Sequence, residues 1–251
     1  MKTLLALLLA LSPLAVSAQT SASDVFDEVE RRQNLITSEA ASIRMEIVDE
    51  RGRTRTRSMD LRTKVGSDDR AKSILMFTGP ADIRGTGLLT VEADGGDEQK
   101  LYLPALGRVQ RIAGSKRGER FAGSDFTYED LGTRDPDQYT VNMVETTPDA
   151  FVFEARPKDS DSKYSRIVLT VDRQRYVVER AEHFDRSNEL AKVLTATDFA
   201  EAVPGAWRAN RMVMEDVQAD RRTVLTFSDR ETGAALRDDL FTERQLQRGL
   251  R

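Results

Sequence analysis

Apolar and polar residues alternate along most of the chain. Ile43, Met45 and Ile47 are separated by polar residues, and residues 59–63 repeat the pattern after a turn at residues 49–52. A period of two is typical of β-strands, because successive side chains of a strand point to opposite faces. The two runs therefore predict a long β-hairpin.

Similar runs recur along the rest of the chain, separated by turn sequences such as Gly79-Pro80. Their hairpin-length connections predict one continuous antiparallel sheet over residues 43–228. A sheet of so many twisted strands must curl to protect its edges, so we expect a strongly curved half-barrel. The further predicted strands are residues 73–77, 87–92, 99–103, 108–112, 139–145, 150–155, 164–172, 176–184, 190–199, 207–216 and 222–228.

A helix is predicted at each end of this sheet. Residues 23–35 combine apolar and charged positions at helical spacing, with Ser23 as the predicted N-cap. From Thr232 onward, an amphipathic helix that docks on the sheet is predicted by four leucines within one helical arc: Leu236, Leu240, Leu246 and Leu250. The predicted fold class is therefore mainly β, with N- and C-terminal helices.

The first 18 residues are predicted to be a cleaved secretory signal. Lys2 precedes an apolar run over residues 4–11, and Pro13 and small residues up to Ala18 follow. The run is too short to span a bilayer as a stable helix. No cysteine follows that could carry a lipid, so we expect an exported, periplasmic protein without a lipid anchor. Residues 19–251 are expected to form a single domain, because no linker or repeat divides them.

The composition excludes several functional classes. The 251 residues include no cysteine and one histidine, which excludes disulfides, thiolate nucleophiles and cysteine- or histidine-rich metal sites. A net charge of −4 argues against nucleic-acid binding. We therefore expect no metal, no cofactor and no nucleic-acid partner, and we expect a monomer.

No motif in the sequence predicts catalysis. His183 lies in a predicted strand without a nucleophile motif, which favours a structural or surface role. Residues 123–125 (Gly-Ser-Asp) lack the second glycine of a nucleophile elbow. The sequence therefore predicts a protein that is not an enzyme.

Four arginines alternate with small residues in the first hairpin: Arg51, Arg53, Arg55 and Arg57. On a strand, this spacing would place all four guanidinium groups on one face. Such a row is typical of a solvated hairpin tip that protects a sheet edge from aggregation. The alternative is a surface that binds lipid head groups or an acidic partner.

Residues 121–131 (Phe-Ala-Gly-Ser-Asp-Phe-Thr-Tyr-Glu-Asp-Leu) interleave aromatic side chains with carboxylates and glycines. With the residues before it, this pattern predicts that residues 108–130 form a rim or lid over a cavity, and the alternative is a well-packed loop. We expect its carboxylates to pair with nearby arginines at positions 108, 111, 117 and 120, partly buried under the aromatic rings. The candidate ligand-binding or rim residues are Tyr102, Arg108, Arg111, Phe121, Ser124, Asp125, Phe126, Tyr128, Glu129 and Asp130.

Flexible thioethers and aliphatic side chains on the predicted strands are suited either to an ordinary core or to a cavity that accepts apolar ligands. The candidate cavity-lining residues are Met45, Met59, Leu61, Leu75, Phe77, Leu89, Met212 and Met214.

The middle of the chain resembles a known family. Residues 101–112 (Leu-Tyr-Leu-Pro-Ala-Leu-Gly-Arg-Val-Gln-Arg-Ile) leading into residues 121–131 look like the periplasmic outer membrane lipoprotein-sorting proteins, the LolA-like family. Residues 77–89 and 241–244 support the resemblance, which is greatest to the branch found with lipid-exporting transporters. It implies an incomplete antiparallel barrel, closed by helices over a hydrophobic cavity that holds acyl chains.

The resemblance and the residues together predict a periplasmic carrier or chaperone. It would bind a lipid or lipoprotein acyl chain, because moving such a chain through water requires burial of its apolar surface. Delivery would be toward the outer membrane. The alternative is a non-catalytic accessory or lipid-sensing subunit of an inner-membrane protein, such as an RND/MMPL-type transporter or a signalling protein.

Overall fold

The computed structural model describes residues 20–68, 70–133 and 135–250. The predicted secretory signal, residues 1–18, lies outside this part of the chain. Within the described residues, no helix is long and apolar enough to cross a membrane.

The described residues form a single antiparallel sheet of 13 strands that is not closed into a barrel. This confirms the predicted sheet, although the strands at its centre extend beyond the predicted runs because their pairing continues toward the turns. The strands are β1 (Ser38–Val48), β2 (Thr54–Val65), β3 (Ala71–Gly79), β4 (Gly87–Val91), β5 (Glu98–Leu103), β6 (Arg108–Ile112), β7 (Tyr139–Thr146), β8 (Ala150–Pro157), β9 (Tyr164–Asp172), β10 (Val178–Asp185), β11 (Leu190–Val203), β12 (Ala206–Asp216) and β13 (Arg221–Thr232).

Two meanders meet in the middle of this sheet. The strands lie in the order β6-β5-β4-β3-β2-β1-β13-β12-β11-β10-β9-β8-β7, so the first and last strands pair with each other. The ends of the sheet are therefore β6 and β7, which are consecutive in the chain. The connection between them, residues 113–138, must pass from one edge of the sheet to the other, and we call it the crossing segment.

Cross-strand register divides the side chains between two faces. Leu169, Ala181, Leu194 and Met214 are direct neighbours on successive strands, so they point to the same side. We call this side the inner face. It carries two apolar clusters, one centred on β1–β5 and one on β7–β10.

Helix α1 (Ala22–Asn34) covers the second of these clusters. Its N-cap is Ser21, whose hydroxyl accepts a hydrogen bond from the backbone N–H of Asp24 at 3.1 Å, so the predicted cap at Ser23 is wrong by two residues. The carboxylate of Asp24 in turn accepts a hydrogen bond from the backbone N–H of Ser21, which completes a capping box. The ring centroids of Phe26 and Phe153 lie 5.5 Å apart beneath the helix.

The C-terminal helix α2 is shorter than the predicted tail helix and comprises Glu243–Arg248. Leu246 is completely buried on the outer face, where the apolar cluster also includes Ile74 and Met76 of β3. Strand β3 carries apolar side chains on both faces, so the outer face needs a cover of its own. Unlike α1, α2 therefore lies on the side of the sheet opposite the inner-face clusters.

Candidate functional site

The crossing segment is folded by its own hydrogen bonds. The backbone N–H of Phe121 donates to the carbonyl of Phe126 at 2.8 Å, and that of Glu129 donates to Arg117 at 2.8 Å. The turn between these arms passes through Ala122 and Gly123, both with positive φ. The hydroxyl of Ser124 donates to the carbonyl of Phe121 at 2.7 Å. The segment thus forms a compact loop rather than a loose connection.

Three aromatic side chains attach this loop to the inner face. Phe121, Phe126 and Tyr128 are at most 7% exposed and belong to the cluster centred on β1–β5. The rings of Phe77 and Phe121 are stacked with centroids 5.5 Å apart. The aromatic residues of the segment therefore close the apolar surface of these strands.

A row of ionisable side chains crosses the inner face beside this cluster. His183, Lys192, Asp216 and Arg221 are register partners on four successive strands, β10–β13. Their direct pairing places all four on the same face. Such residues are unusual on the apolar side of a sheet, and each needs a partner there.

The crossing segment supplies opposite charges to this row. Asp130 lies 3.4 Å from the ammonium of Lys192, and Asp125 lies 3.2 Å from the guanidinium of Arg221. Arg120 forms an ion pair with Asp216. Along the row, each charge of the sheet therefore faces an opposite charge of the segment. This favours one position of the segment, because any other position would leave buried charges unpaired.

Asp130 is the most heavily bonded of these residues. Its carboxylate accepts hydrogen bonds from Tyr164 Oη at 2.8 Å and from the backbone N–H of Thr127 at 2.7 Å. Burial alone would raise the pKa of Asp130, but the charges of Lys192 and His183 and the bonds from Thr127 hold it below its usual value. Burial and the charge of Asp130 raise the pKa of Tyr164 well above its usual value. Asp130 is therefore a buried carboxylate.

Further contacts fasten the segment at its margins. Glu129 accepts a hydrogen bond from Ser162 and one from the backbone N–H of Lys163 at 3.1 Å, and burial raises the pKa of Glu129. Arg57 of β2 donates to the carbonyl of Ala122. The segment is therefore held on the sheet by its three aromatic rings and by ionic and polar side-chain contacts, in contrast to the continuous backbone pairing of a strand.

A half-open cavity of about 470 Å³ lies between this segment and the β3–β4 connection. Its size falls within the roughly 300–1,000 Å³ range of small-molecule sites. Arg84 and Asp82 stand among the residues that line it. Its apolar lining residues are Ala81, Ile83, Leu101, Leu103, Pro104, Ala105, Phe121, Ala122 and Tyr128.

Comparisons with known proteins assign this architecture. A domain from Vibrio parahaemolyticus, assigned to the outer membrane lipoprotein-sorting proteins, is 31% identical, with 90% of this chain and 97% of that chain covered and a TM-score of 0.85. The chain belongs to this LolA-like family. A family model described only as that of an uncharacterised protein also matches residues 68–248.

Two other solved structures extend this LolA-like assignment. A DUF1329 family protein from Desulfovibrio piger is 27% identical, with 88% of this chain and 97% of that chain covered and a TM-score of 0.80. A LolA superfamily protein from Nitrosomonas europaea is 19% identical, with 90% of this chain and all (100%) of that chain covered and a TM-score of 0.72, which shows the shared fold. No curated protein matches the chain.

Most candidate residues of the LolA-like chain meet at the inner face. Met45, Met59, Leu61, Leu75, Phe77, Met212 and Met214 all belong to the inner-face cluster beneath the crossing segment or pack against it. Leu89 does not, because Leu88 of the same strand points inward and Leu89 outward, where it packs in the cluster of α2. Tyr102 also packs on the outer face, because Leu101 of the same strand points inward.

The predicted charge pairs within the segment are wrong. Arg108 and Arg111 are exposed on β6 and form no ion pair among the described residues. Asp125 and Asp130 instead pair with the sheet, as does Arg120. Residues near in sequence are held apart here because the loop turns its charges toward the strands that it crosses.

The sheet residues of the site were not predicted from the sequence. Lys192, Asp216 and Arg221 were missed, and His183, expected to be structural or on the surface, is fully buried 3.9 Å from Asp130. A signal for them does exist. Lys192 shares its strand face with Leu194, so a charge stands where the period of two predicts an apolar residue.

The four arginines of the first hairpin do not form one row on the strand. Arg51 and Arg53 precede β2 and pair with Glu50 and Asp49 in the turn. Only two of the four, Arg55 and Arg57, lie on the strand, so the expected row of four on one face is wrong. The turn needs Gly52, which has a φ of 75°, and this interrupts the strand pattern.

Proposed function

We propose that this protein is a non-catalytic periplasmic carrier of a lipid or a lipidated molecule. The acyl chain of the bound molecule enters the half-open cavity and extends beneath the crossing segment along the inner face. Two features support this proposal: the LolA-like family and the apolar character of the cavity wall.

One observation carries the proposal. The largest apolar cluster of the inner face is covered by a loop that ion pairs and side-chain hydrogen bonds fasten, and the cavity opens along that loop. These contacts come from side chains rather than from a backbone ladder, so the loop can move outward without unpairing a strand. A bound acyl chain would offset the apolar surface that the rings of Phe121, Phe126 and Tyr128 leave behind. The apolar surface beneath would then bury an acyl chain at roughly 25 cal/mol per Å².

A substitution in the cavity wall tests the proposal. Leu103→Asp places a charge among apolar lining residues, and a charge in such a site costs several kcal/mol. Titration of residues 19–251 with a fluorescent fatty acid should show saturable binding that weakens at least tenfold in this variant.

The matched control is Val109→Asp. Both side chains are half-buried, but Val109 packs in the outer-face cluster and does not line the cavity. The control should lose similar stability and keep its affinity. Absence of saturable binding by the wild-type protein, or equal loss in both variants, would contradict the carrier proposal.

A second candidate is an interaction subunit that senses lipid or binds an inner-membrane transporter or signalling protein. The observation in its favour is that Phe121, Phe126 and Tyr128 already occupy the inner face, as expected for a filled core. Absence of lipid binding, combined with loss of partner binding when Asp125 and Tyr128 are both changed to Ala, would favour this candidate.

A further inference from the structure

Two arginines lie at the mouth of the cavity, and a third lies beside one of them on β2. Arg84 is one of its lining residues, and Arg57 donates to the carbonyl of Ala122, which lines it as well. Arg55 lies two positions before Arg57 on β2 and therefore on the same strand face. Burial and the nearby charge of Arg55 lower the pKa of Arg57. Positive charge is thus concentrated where the apolar wall reaches solvent.

These three arginines lack an acidic partner. Among the described residues, no carboxylate lies within 4.0 Å of the guanidinium groups of Arg55, Arg57 or Arg84. Arg53 in the same hairpin shows the contrast, because it pairs with Asp49 at 2.8 Å. Arg57 is half-buried, and a half-buried cation without an acidic partner favours the approach of an anion.

The acidic residue at the cavity mouth, Asp82, only partly offsets these charges. It is exposed, and its charge acts on Arg57 without forming an ion pair. Three cations therefore face one carboxylate. A guanidinium group also has five N–H donors, of which Arg57 uses one on Ala122.

We infer that the cavity selects an acyl chain with a phosphate-bearing head group, which Arg57 and Arg84 bind at the mouth. This inference rests on the proposed carrier function, since the chain occupies the apolar cavity of that proposal. Guanidinium groups bind phosphate through paired, charge-assisted hydrogen bonds that a neutral head group cannot provide. Arg55 contributes longer-range attraction that salt weakens.

The experiment compares ligands that differ only in the phosphate. Lysophosphatidic acid and the monoacylglycerol of the same chain length are titrated against residues 19–251 below their micelle concentrations, alongside inorganic phosphate. We expect lysophosphatidic acid to bind at least tenfold more tightly than the monoacylglycerol, with a smaller ratio at high salt. Inorganic phosphate should not saturate at these concentrations, because it lacks the chain.

Variants assign the preference to the cavity mouth. Arg84→Gln, which breaks no hydrogen bond or ion pair within the described structure, should reduce the tenfold ratio by at least threefold, as should Arg57→Gln. Arg57→Lys should recover only part of the preference lost in Arg57→Gln, because the charge returns without the planar fork. The control is the double variant Arg44→Gln with Arg180→Gln, whose arginines are exposed and paired with Glu46 and Glu182.

The outcomes separate this inference from the carrier proposal. Binding of neither lipid would overturn both. Equal binding of both lipids, with no effect of the Arg84 and Arg57 variants, would overturn the inference alone and leave the arginines to an acidic protein surface. Saturable binding of inorganic phosphate with the affinity of lysophosphatidic acid would also overturn it, since the chain would then contribute nothing.

Discussion

Asp130 shows at the scale of one residue how the crossing segment is held. Its side chain is 2% exposed, and it contacts groups from the segment, β9 and β11. A buried carboxylate in water-free surroundings is costly unless such partners compensate it. The same partners explain why the pKa of Asp130 is lowered despite burial.

Removal of this charge should be strongly destabilising. Asp130→Asn leaves the ammonium of Lys192 buried without its counter-ion, and we expect a loss of about 3 kcal/mol in the free energy of unfolding. Adding Lys192→Met should recover part of that loss, because both charges are then gone. Urea unfolding of the two single variants and the double variant measures the coupling. Additive losses would contradict the assigned ion pair.

The pKa of Glu30, on α1, is shifted in the opposite direction to that of Asp130. Burial, with the charges of Asp135, Glu92 and other acidic neighbours, raises its pKa from 4.5 to about 7. A raised carboxyl pKa means that the folded state favours the protonated form, so stability is highest below pH 4.5 and falls as the pH rises through 7.

Glu30→Gln should therefore stabilise the protein at pH 8. We expect a gain of about 1 kcal/mol after allowance for solvent screening of this half-buried group, and no gain at pH 4.5. Thermal unfolding at the two pH values measures it, with Glu145→Gln, at an exposed position of β7, as the control. An equal change in stability at both pH values would show that burial and the acidic neighbours do not disfavour the charged form of Glu30.

At the scale of elements, α2 separates stability from ligand binding. Leu246→Ala removes a completely buried side chain from the outer-face cluster and should cost about 2–4 kcal/mol. Fatty-acid affinity should stay unchanged at a temperature where the variant is folded, because α2 does not line the cavity. Chemical unfolding and ligand titration measure the two quantities. A loss of affinity in the folded variant would place α2 at the ligand site.

The strands were predictable where one face is buried and the other is polar. On β1, Ile43, Met45 and Ile47 are buried while the residues between them are more exposed, as the sequence pattern requires. The length of the tail helix was not predictable in this way. Leucines at helical spacing also suit a short 3₁₀ turn at Asp238–Leu240 followed by one short helix. An amphipathic arc indicates burial but does not fix the backbone conformation.

At the scale of the molecule, the open sheet explains why the site was only half predictable. Arg120, Asp125 and Asp130 attracted notice because their segment is aromatic and charged without strand periodicity. Their partners Lys192, Asp216 and Arg221 are far away in sequence and meet them only because the segment crosses from β6 to β7. Strand order, which brings them together, is not encoded in the local pattern.

The central claim is that the crossing segment moves away from the inner face when an acyl chain binds. Its contact with β13 offers a direct test, because Thr223 Oγ1 donates to the carboxylate of Asp125 at 2.7 Å. The chain has no cysteine, so Asp125→Cys with Thr223→Cys provides a unique pair for a short, cleavable thiol cross-linker. The single variants treated with the same reagent are the controls.

The decisive measurement is the affinity of this double variant for a fluorescent fatty acid before cross-linking, after cross-linking and after cleavage of the linker. The account predicts that cross-linking weakens binding at least tenfold and that cleavage restores it, while the single variants are unaffected. Unchanged affinity in the fully cross-linked protein would contradict the claim that the segment opens for the ligand.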